Sequence, residues 1–185
     1  MKIYFSADHH FNHAAILSHC DRPWANAREM NEELISRWNE VVPVNGLVYY
    51  LGDFGWKQDK DRTMMLAEIL ERLNGKLYFI RGSHDREAEM LYKRGHPKIV
   101  AMTPMAEVHI VKQDVVLCHY AMRTWAKSHY NAWHLHGHSH GRLAPVGKML
   151  DVGVDTHNFY PWSWQEVVEY MSQQPDNFDF VGQKK

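Results

Sequence analysis

Five times along this chain a short apolar run that reads as a β-strand stops, and a loop carrying histidine or aspartate begins at once. Residues 2–6 open into Asp8-His9-His10, and residues 47–51 into Gly52-Asp53. Residues 77–80 open into Arg81-Gly82-Ser83-His84-Asp85, residues 115–118 into His119, and residues 133–136 into Gly137-His138-Ser139-His140. In open α/β sheets ligands gather at the carboxyl ends of the strands. A chain that ends strand after strand on imidazoles and carboxylates therefore calls for strands lying side by side, with those ends on one rim. Histidine is abundant, 14 of 185 residues. Surface histidines scattered at random would not keep returning to strand ends.

Between the runs the pattern turns helical. Residues 26–42 carry Met30, Leu34, Trp38 and Val41 at helical spacing, the stripe of a helix packed on a sheet. Asn26 suits the N-cap, and Pro43 and Gly46 break the chain afterwards. Residues 61–73 place Leu66, Ile69, Leu70 and Leu73 on one face, and Asn74-Gly75 ends that helix. Residues 85–94 predict a third helix. In the second half, residues 107–111 and 115–118 flank Gln113-Asp114 and predict a hairpin. Residues 148–154 predict another strand and residues 163–173 a terminal helix. Strands alternating with helices predict an α/β layered fold, and the hairpin makes part of the sheet antiparallel. The length suits one domain, residues 1–175, followed by a loose tail over residues 176–185.

The remaining composition narrows the function. No apolar run approaches the ~20 residues of a membrane span, and the first ten residues turn polar too soon for a signal peptide. The cytoplasm is the expected compartment, and no membrane partner is expected. Cys20 and Cys118 lack metal-type spacing and are expected as reduced thiols. A formal net charge of −1 gives no general attraction to a polyanion, so the expected partner is a small substrate and not a long nucleic acid. Neither a P-loop nor a G-x-G-x-x-G loop is present.

The strand-end residues have the chemistry of a metal centre. Asp8 and His10 are two apart, as are His138 and His140, and at a strand end such pairs face the same way. Asp53 and His119 complete six candidate ligands, two carboxylates and four imidazoles. One catalytic ion must keep open positions and does not take six protein ligands. Two ions sharing a carboxylate fit better, and pairs about 3.5–4 Å apart serve phosphate-ester chemistry. Mixed imidazole and carboxylate ligands suit manganese first, with iron, nickel or zinc as alternatives. At the third station Ser83 is either a helix cap or part of a reaction centre. His84 and Asp85 follow it directly, and histidine is the side-chain type best suited to moving protons near neutral pH. Arg22 is either a phosphate clamp or an ordinary arginine, and His13 lies on the same loop. Trp125, Tyr130, Trp133 and Trp162 either pack or stack a base.

Taken in order, Asp8-His9-His10, Gly52-Asp53, Gly82-Ser83-His84-Asp85, His119 and Gly137-His138-Ser139-His140 resemble the motifs of the calcineurin-like metallophosphoesterases. The likeness covers about residues 3–156 and is strongest to the small single-domain bacterial and phage members. It implies a four-layer α/β/β/α sandwich with mixed sheets. It also implies hydrolysis of a small phosphomonoester or phosphodiester, nucleotides included, by a metal-bound hydroxide at a two-metal site. On this resemblance Asp8, His10 and His140 hold the first metal, Asp53 bridges, and His119 and His138 hold the second. His84 gives a proton to the leaving group and Asp85 orients it; His9 has no role. The family carries glycine before the lone histidine, where this chain has Cys118. It carries an asparagine that ligates the second metal where this chain has Ser83. A hydroxyl is a shorter and poorer ligand than an amide carbonyl, so the alternative expectation is a metal-binding protein with weakened or absent catalysis.

Overall fold

The computed structural model describes residues 2–56 and 62–182. Asp61, the expected first residue of a helix, and residues 183–185 of the expected tail lie outside the described residues. The chain is an α/β sandwich of two mixed sheets. Strands β1 (Ile3–Ser6), β2 (Leu47–Tyr50), β3 (Lys76–Ile80), β4 (Ile99–Thr103) and β9 (Trp162–Ser163) form the first, in the order β4-β3-β2-β1-β9. All its pairings are parallel except that of β9 with β1. Strands β5 (Met105–Ile110), β6 (Gln113–Cys118), β7 (Trp133–His136) and β8 (Met149–Asp151) form the second in sequence order. There an antiparallel hairpin continues into two parallel pairings.

Side chains alternate across the first sheet, and both faces are buried. Tyr4, Val48, Tyr50, Leu77 and Phe79 join one cluster with Met30, Leu34 and Trp38 of α2 (Ala27–Val41) and Leu66, Ile69 and Leu70 of α3 (Arg62–Arg72). Ala88 and Leu91 of α4 (Arg86–Lys93) and Ile16 of α1 (Ala15–His19) complete it. Phe5, Leu51 and Ile80 point the other way, onto Leu117, Leu135 and Leu150 of the second sheet and Val167 and Met171 of α5 (Trp164–Ser172). A strand covered on both faces reads as a continuous apolar run, which is why β1, β2 and β3 stand out in the sequence. The outer face of the second sheet, Val116 and Met149, is covered by Trp125 and Ala132 from the β6–β7 connection. Layers therefore run helix, sheet, sheet, and a thin outer cover.

Asn26 caps α2, its side chain accepting the Glu29 N–H. Ser163 and Glu166 form a capping box on α5. Among the described residues one α-helix and two strands escape the sequence reading: α1, β4 and β9. The first and last are only five and two residues long. The hairpin turn also differs from expectation. Val111 and Lys112 make it, with φ of 46° and 69°, and Gln113 and Asp114 belong to β6. Tertiary partners hold them there: Lys127 Nζ lies 2.9 Å from Asp114, and Gln113 Nε2 donates to the Asn131 carbonyl.

Residues 175–182 are not loose. Asn177 Oδ1 accepts the Lys148 N–H, and its Nδ2 donates to the Ser128 and Ala132 carbonyls. Ser128 Oγ donates to Asp179, and the Val181 N–H to the His129 carbonyl. The irregular cover of the second sheet has backbone groups that need partners, and this segment supplies them. Among the described residues no helix is long and apolar enough to cross a membrane.

Candidate metal centre

The strand-end loops fold into two ligand groups. Asp8, His10 and His140 each bring an oxygen or nitrogen to within 4.8 Å of the others, and so do Asp53, His119 and His138. Asp53 Oδ2 stands between the groups, 3.7 Å from His10 Nε2 and 3.4 Å from His119 Nε2. The first group is largely buried, while the second opens to solvent at His138.

The backbone bends sharply to achieve this. Asp8, His10, Asp53, His138 and His140 all have left-handed φ, between 48° and 68°. Residues with a Cβ avoid that region, and strained residues collect where function requires them. Glycine makes room around the carboxylates. A Cβ on Gly137 would lie 2.6 Å from Asp8 Oδ2, and one on Gly82 2.4 Å from Asp53 Oδ1.

Whether these residues suit a metal is answered by the atoms left without partners. Asp8 Oδ1, both ring nitrogens of His10 and His119 Nε2 are buried and accept or donate no hydrogen bond. Each such atom costs about 1–3 kcal/mol. Several facing one another are what a cation satisfies, and nitrogen and oxygen donors without thiolate suit the borderline divalent ions. The outer contacts point the same way. His119 Nδ1 donates to the Leu51 carbonyl at 2.7 Å and His140 Nδ1 to Asp155 at 2.7 Å. A carbonyl only accepts, so the proton sits on Nδ1 and Nε2 is left for an ion, the arrangement that fixes metal-binding histidines. Asp8 Oδ2 accepts the His138 N–H at 2.8 Å, leaving Oδ1 for the same purpose.

Three expected roles are revised. Arg22 is no phosphate clamp: it is buried, its guanidinium gripping Asp155 twice at 2.8 Å and donating to the Asp8 and His9 carbonyls at 2.7 Å. Asp85 does not orient His84. Its carboxylate accepts the N–H groups of Asp53, Phe54 and Gly82 at 2.9, 2.8 and 2.6 Å, stitching two strand ends together. Ser83 is no helix cap, since Asp85 occupies that position and makes no side-chain cap bond. Ser83 Oγ donates to the Asp53 carboxylate, 3.2 Å from both oxygens.

His84 is half-buried, its N–H donating to Asp53 Oδ1 at 2.9 Å and its ring 5.8 Å from that of His10. His13 stacks on Trp56 at 4.3 Å and lies 5.3 Å from the His10 ring. His9 bonds Tyr50 in the core, and burial, with Arg22 nearby, lowers its pKa to about 3. Trp125 donates to the Ala132 carbonyl, Trp133 packs on Trp164, and Trp162 on His157. These three are packing residues. Tyr130 is exposed beside His129. Sequence reasoning missed Trp56 and Asp155. A signal for Asp155 existed, because the predicted strand over residues 148–154 also ends on a carboxylate. Cys20, His140 and Asp155 approach one another too, but Arg22 and His140 already engage Asp155.

Charge coupling ties the centre to pH. Burial opposes a charged His119, but Asp53 and Asp8 outweigh it and raise its pKa to about 9. Burial opposes the Asp53 carboxylate as well, and His119 and the His84 amide still hold it well below the usual range. Burial pushes the Asp8 carboxyl well up. Ligands bind ions deprotonated. Adding Mn²⁺ at pH 7 should therefore release protons, and affinity should climb as pH rises towards 9. Calorimetry in buffers of different ionisation enthalpy reads the proton count. For the metal-free protein the sign is opposite. His119 is raised above its unfolded pKa near 6.5, so its stabilisation is complete below pH 6.5 and lost through about 9. Asp8 acts in the same direction, and thermal melts should fall across that window.

No family model matches the chain. It is 31% identical over 182 residues to the uncharacterized protein MJ1445 of Methanocaldococcus jannaschii, covering 93% of this chain and 92% of that one. A solved protein of unknown function, AQ665 from Aquifex aeolicus, superposes with a TM-score of 0.69 at 18% identity, over 91% of this chain and 98% of that one. It shares the fold. Yfce, a phosphoesterase from E. coli, superposes at only 0.41 and 20% identity, over 83% of this chain and 78% of its own, too loosely to support an argument. On the first of these likenesses the chain belongs to the family of MJ1445.

Proposed function

We propose that this member of the MJ1445 family is a metal-dependent phosphoesterase acting on a small phosphomonoester or phosphodiester. The observation that carries the reading is the Asp53 carboxylate between two groups of ligands whose buried nitrogens and oxygens lack partners. Asp8, His10 and His140 would hold one divalent ion and His119 and His138 the other, with Asp53 shared and manganese the first choice. Such a pair supplies an activated water and neutralises charge on the phosphoryl group.

The chain's own groups do the rest. His84 stands at the rim with its ring against Trp56 and its N–H anchored on Asp53. As the bond between phosphorus and the departing alcohol oxygen breaks, that oxygen takes a proton from His84, and the oxygen of water completes the phosphate. Asp85 fixes the loop that carries His84 by binding the Gly82 and Asp53 amides. Asp155, held by Arg22, keeps the His140 proton on Nδ1. Ser83 sets the Asp53 carboxylate through its hydroxyl.

Incubation of Mn²⁺-loaded protein with nitrophenyl phosphate and bis-nitrophenyl phosphate tests the reading. Turnover with two ions per chain is expected. No turnover by folded, loaded protein contradicts it, and one tightly held ion without activity favours the weakened centre that Ser83 suggests. The role of His84 has its own signature. His84→Ala should slow esters of alkyl alcohols about 10²–10⁴-fold, and nitrophenyl esters far less, because nitrophenolate leaves without help. Equal losses on both would remove His84 from proton transfer.

A further inference from the structure

The outermost strands of a sheet carry unpaired backbone groups, and such an edge invites further pairing unless something blunts it. The first sheet ends at β4 and β9, the second at β5 and β8. Strands β9 and β8 are only two and three residues long, and β4 breaks register with β3 at Leu77 and Tyr78. Strand β5 has no such protection. It runs six residues in unbroken register with β6 and contains neither lysine nor proline.

The hairpin turn fixes which groups of β5 face outward. Val111 and Lys112 form a two-residue loop between the paired residues Ile110 and Gln113. Residues flanking such a loop bond each other, and bonded pairs then alternate along the antiparallel ladder. Ile110, Val108 and Ala106 therefore turn their N–H and C=O groups to β6, and Met105, Glu107 and His109 turn theirs to the open edge. The Thr103 hydroxyl donates to the Met105 carbonyl at 2.9 Å. Among the described residues nothing bonds the outward backbone groups of Glu107 and His109. Side chains alternate as well: Ala106, Val108 and Ile110 pack into the core between the sheets, while Met105, Glu107 and His109 are exposed.

A second copy pairing antiparallel on this edge must set outward residues opposite one another. Centring the pair on Glu107 puts like charges face to face, which destabilises it. Centring on Ala106 or His109 leaves Glu107 opposite an apolar residue. Centring on Val108 sets Glu107 opposite the copy's His109, and symmetry repeats the contact. His109 Nδ1 lies 2.8 Å from Asp114 Oδ1 of its own hairpin, so Nε2 is left for that glutamate. The same register brings Met105, 45% exposed, level with the copy's Val111, 78% exposed. It also joins the two Val108 side chains at the axis.

We propose that β5 is a dimerisation edge, where two copies of this chain pair antiparallel about a two-fold axis at Val108 and their second sheets run on as one. Such self-complementary pairing closes on itself and leaves no open edge at β5. The contact is small, so the dimer is a weak one. The inference does not depend on the phosphoesterase reading.

Sedimentation of the whole chain, from micromolar to hundreds of micromolar, tests it. The mass should rise from one chain towards two. Glu107→Pro removes an outward N–H and no bond of the hairpin, so it should abolish the rise while thermal denaturation still shows a folded chain. A charge exchange decides the matter if that variant does not fold. His109→Glu alone sets glutamates opposite one another and should weaken the dimer about tenfold or more. Combining it with Glu107→His restores acid opposite imidazole, and the affinity should return. Both variants carry the same new glutamate beside Asp114, so the comparison isolates the contact between copies. A chain that stays monomeric at every concentration overturns the proposal. So does a dimer indifferent to Glu107→Pro, or one that the exchange does not restore.

Discussion

On the proposed function, Asp53→Asn should reduce phosphoester turnover by about 10³-fold or more and lower the number of metal ions bound per chain. The estimate follows from the several kcal/mol that metal ions contribute to such transition states, at about 1.36 kcal/mol per tenfold. Asparagine keeps an acceptor oxygen for the His84 N–H and the Ser83 hydroxyl, which bind Asp53 at 2.9 and 3.2 Å, so the loop should stay in place. What it removes is the negative charge that lies 3.7 Å from His10 and 3.4 Å from His119. Metal analysis and steady-state kinetics on one preparation read both effects. Full activity with two ions would show that the ions do not share this carboxylate.

Arg22→Ala should be the most destabilising single change near the centre. The guanidinium and the Asp155 carboxylate are buried and doubly bonded, with the Asp8 and His9 carbonyls as further acceptors. Removing one partner of a buried pair leaves an uncompensated charge and costs about 3–5 kcal/mol. For a chain of this size that corresponds to a fall in Tm of about 6–20 °C. Arg22→Lys should not rescue it, because a single ammonium cannot span the same four acceptors. Thermal denaturation of metal-free protein isolates the effect from ligand binding. A melting temperature within a degree of the parent, with only KM raised, would return Arg22 to the role of a phosphate clamp.

What the sequence displayed, and what it hid, divides by the distance between partners. The ligand pairs Asp8 and His10, and His138 and His140, are local, so their spacing was readable. Helix α2 also declared itself, because Met30, Leu34 and Trp38 all turn to the same buried face. Strands β1, β2 and β3 stood out because both their faces are covered. By contrast, Arg22 is assigned by Asp155, a residue 133 positions away. Asp85 is assigned by amides of another strand end, 32 and 31 positions away. Its neighbour in sequence, His84, is not its partner in space. Residue type alone permitted a clamp and an orienter, and only the fold chooses between those roles and structural ones. Segment 175–182 illustrates the same point, since the backbone groups that hold Asn177 belong to residues 128, 132 and 148. Strand β9, at two residues, carries too little pattern to be seen at all.

Anomalous diffraction from crystals loaded with Mn²⁺ addresses the central claim directly. Two peaks about 3.5–4 Å apart are predicted, one among Asp8, His10 and His140, the other among His119 and His138, with the Asp53 carboxylate between them. A single peak, or a pair that leaves Asp53 uncoordinated, would contradict it.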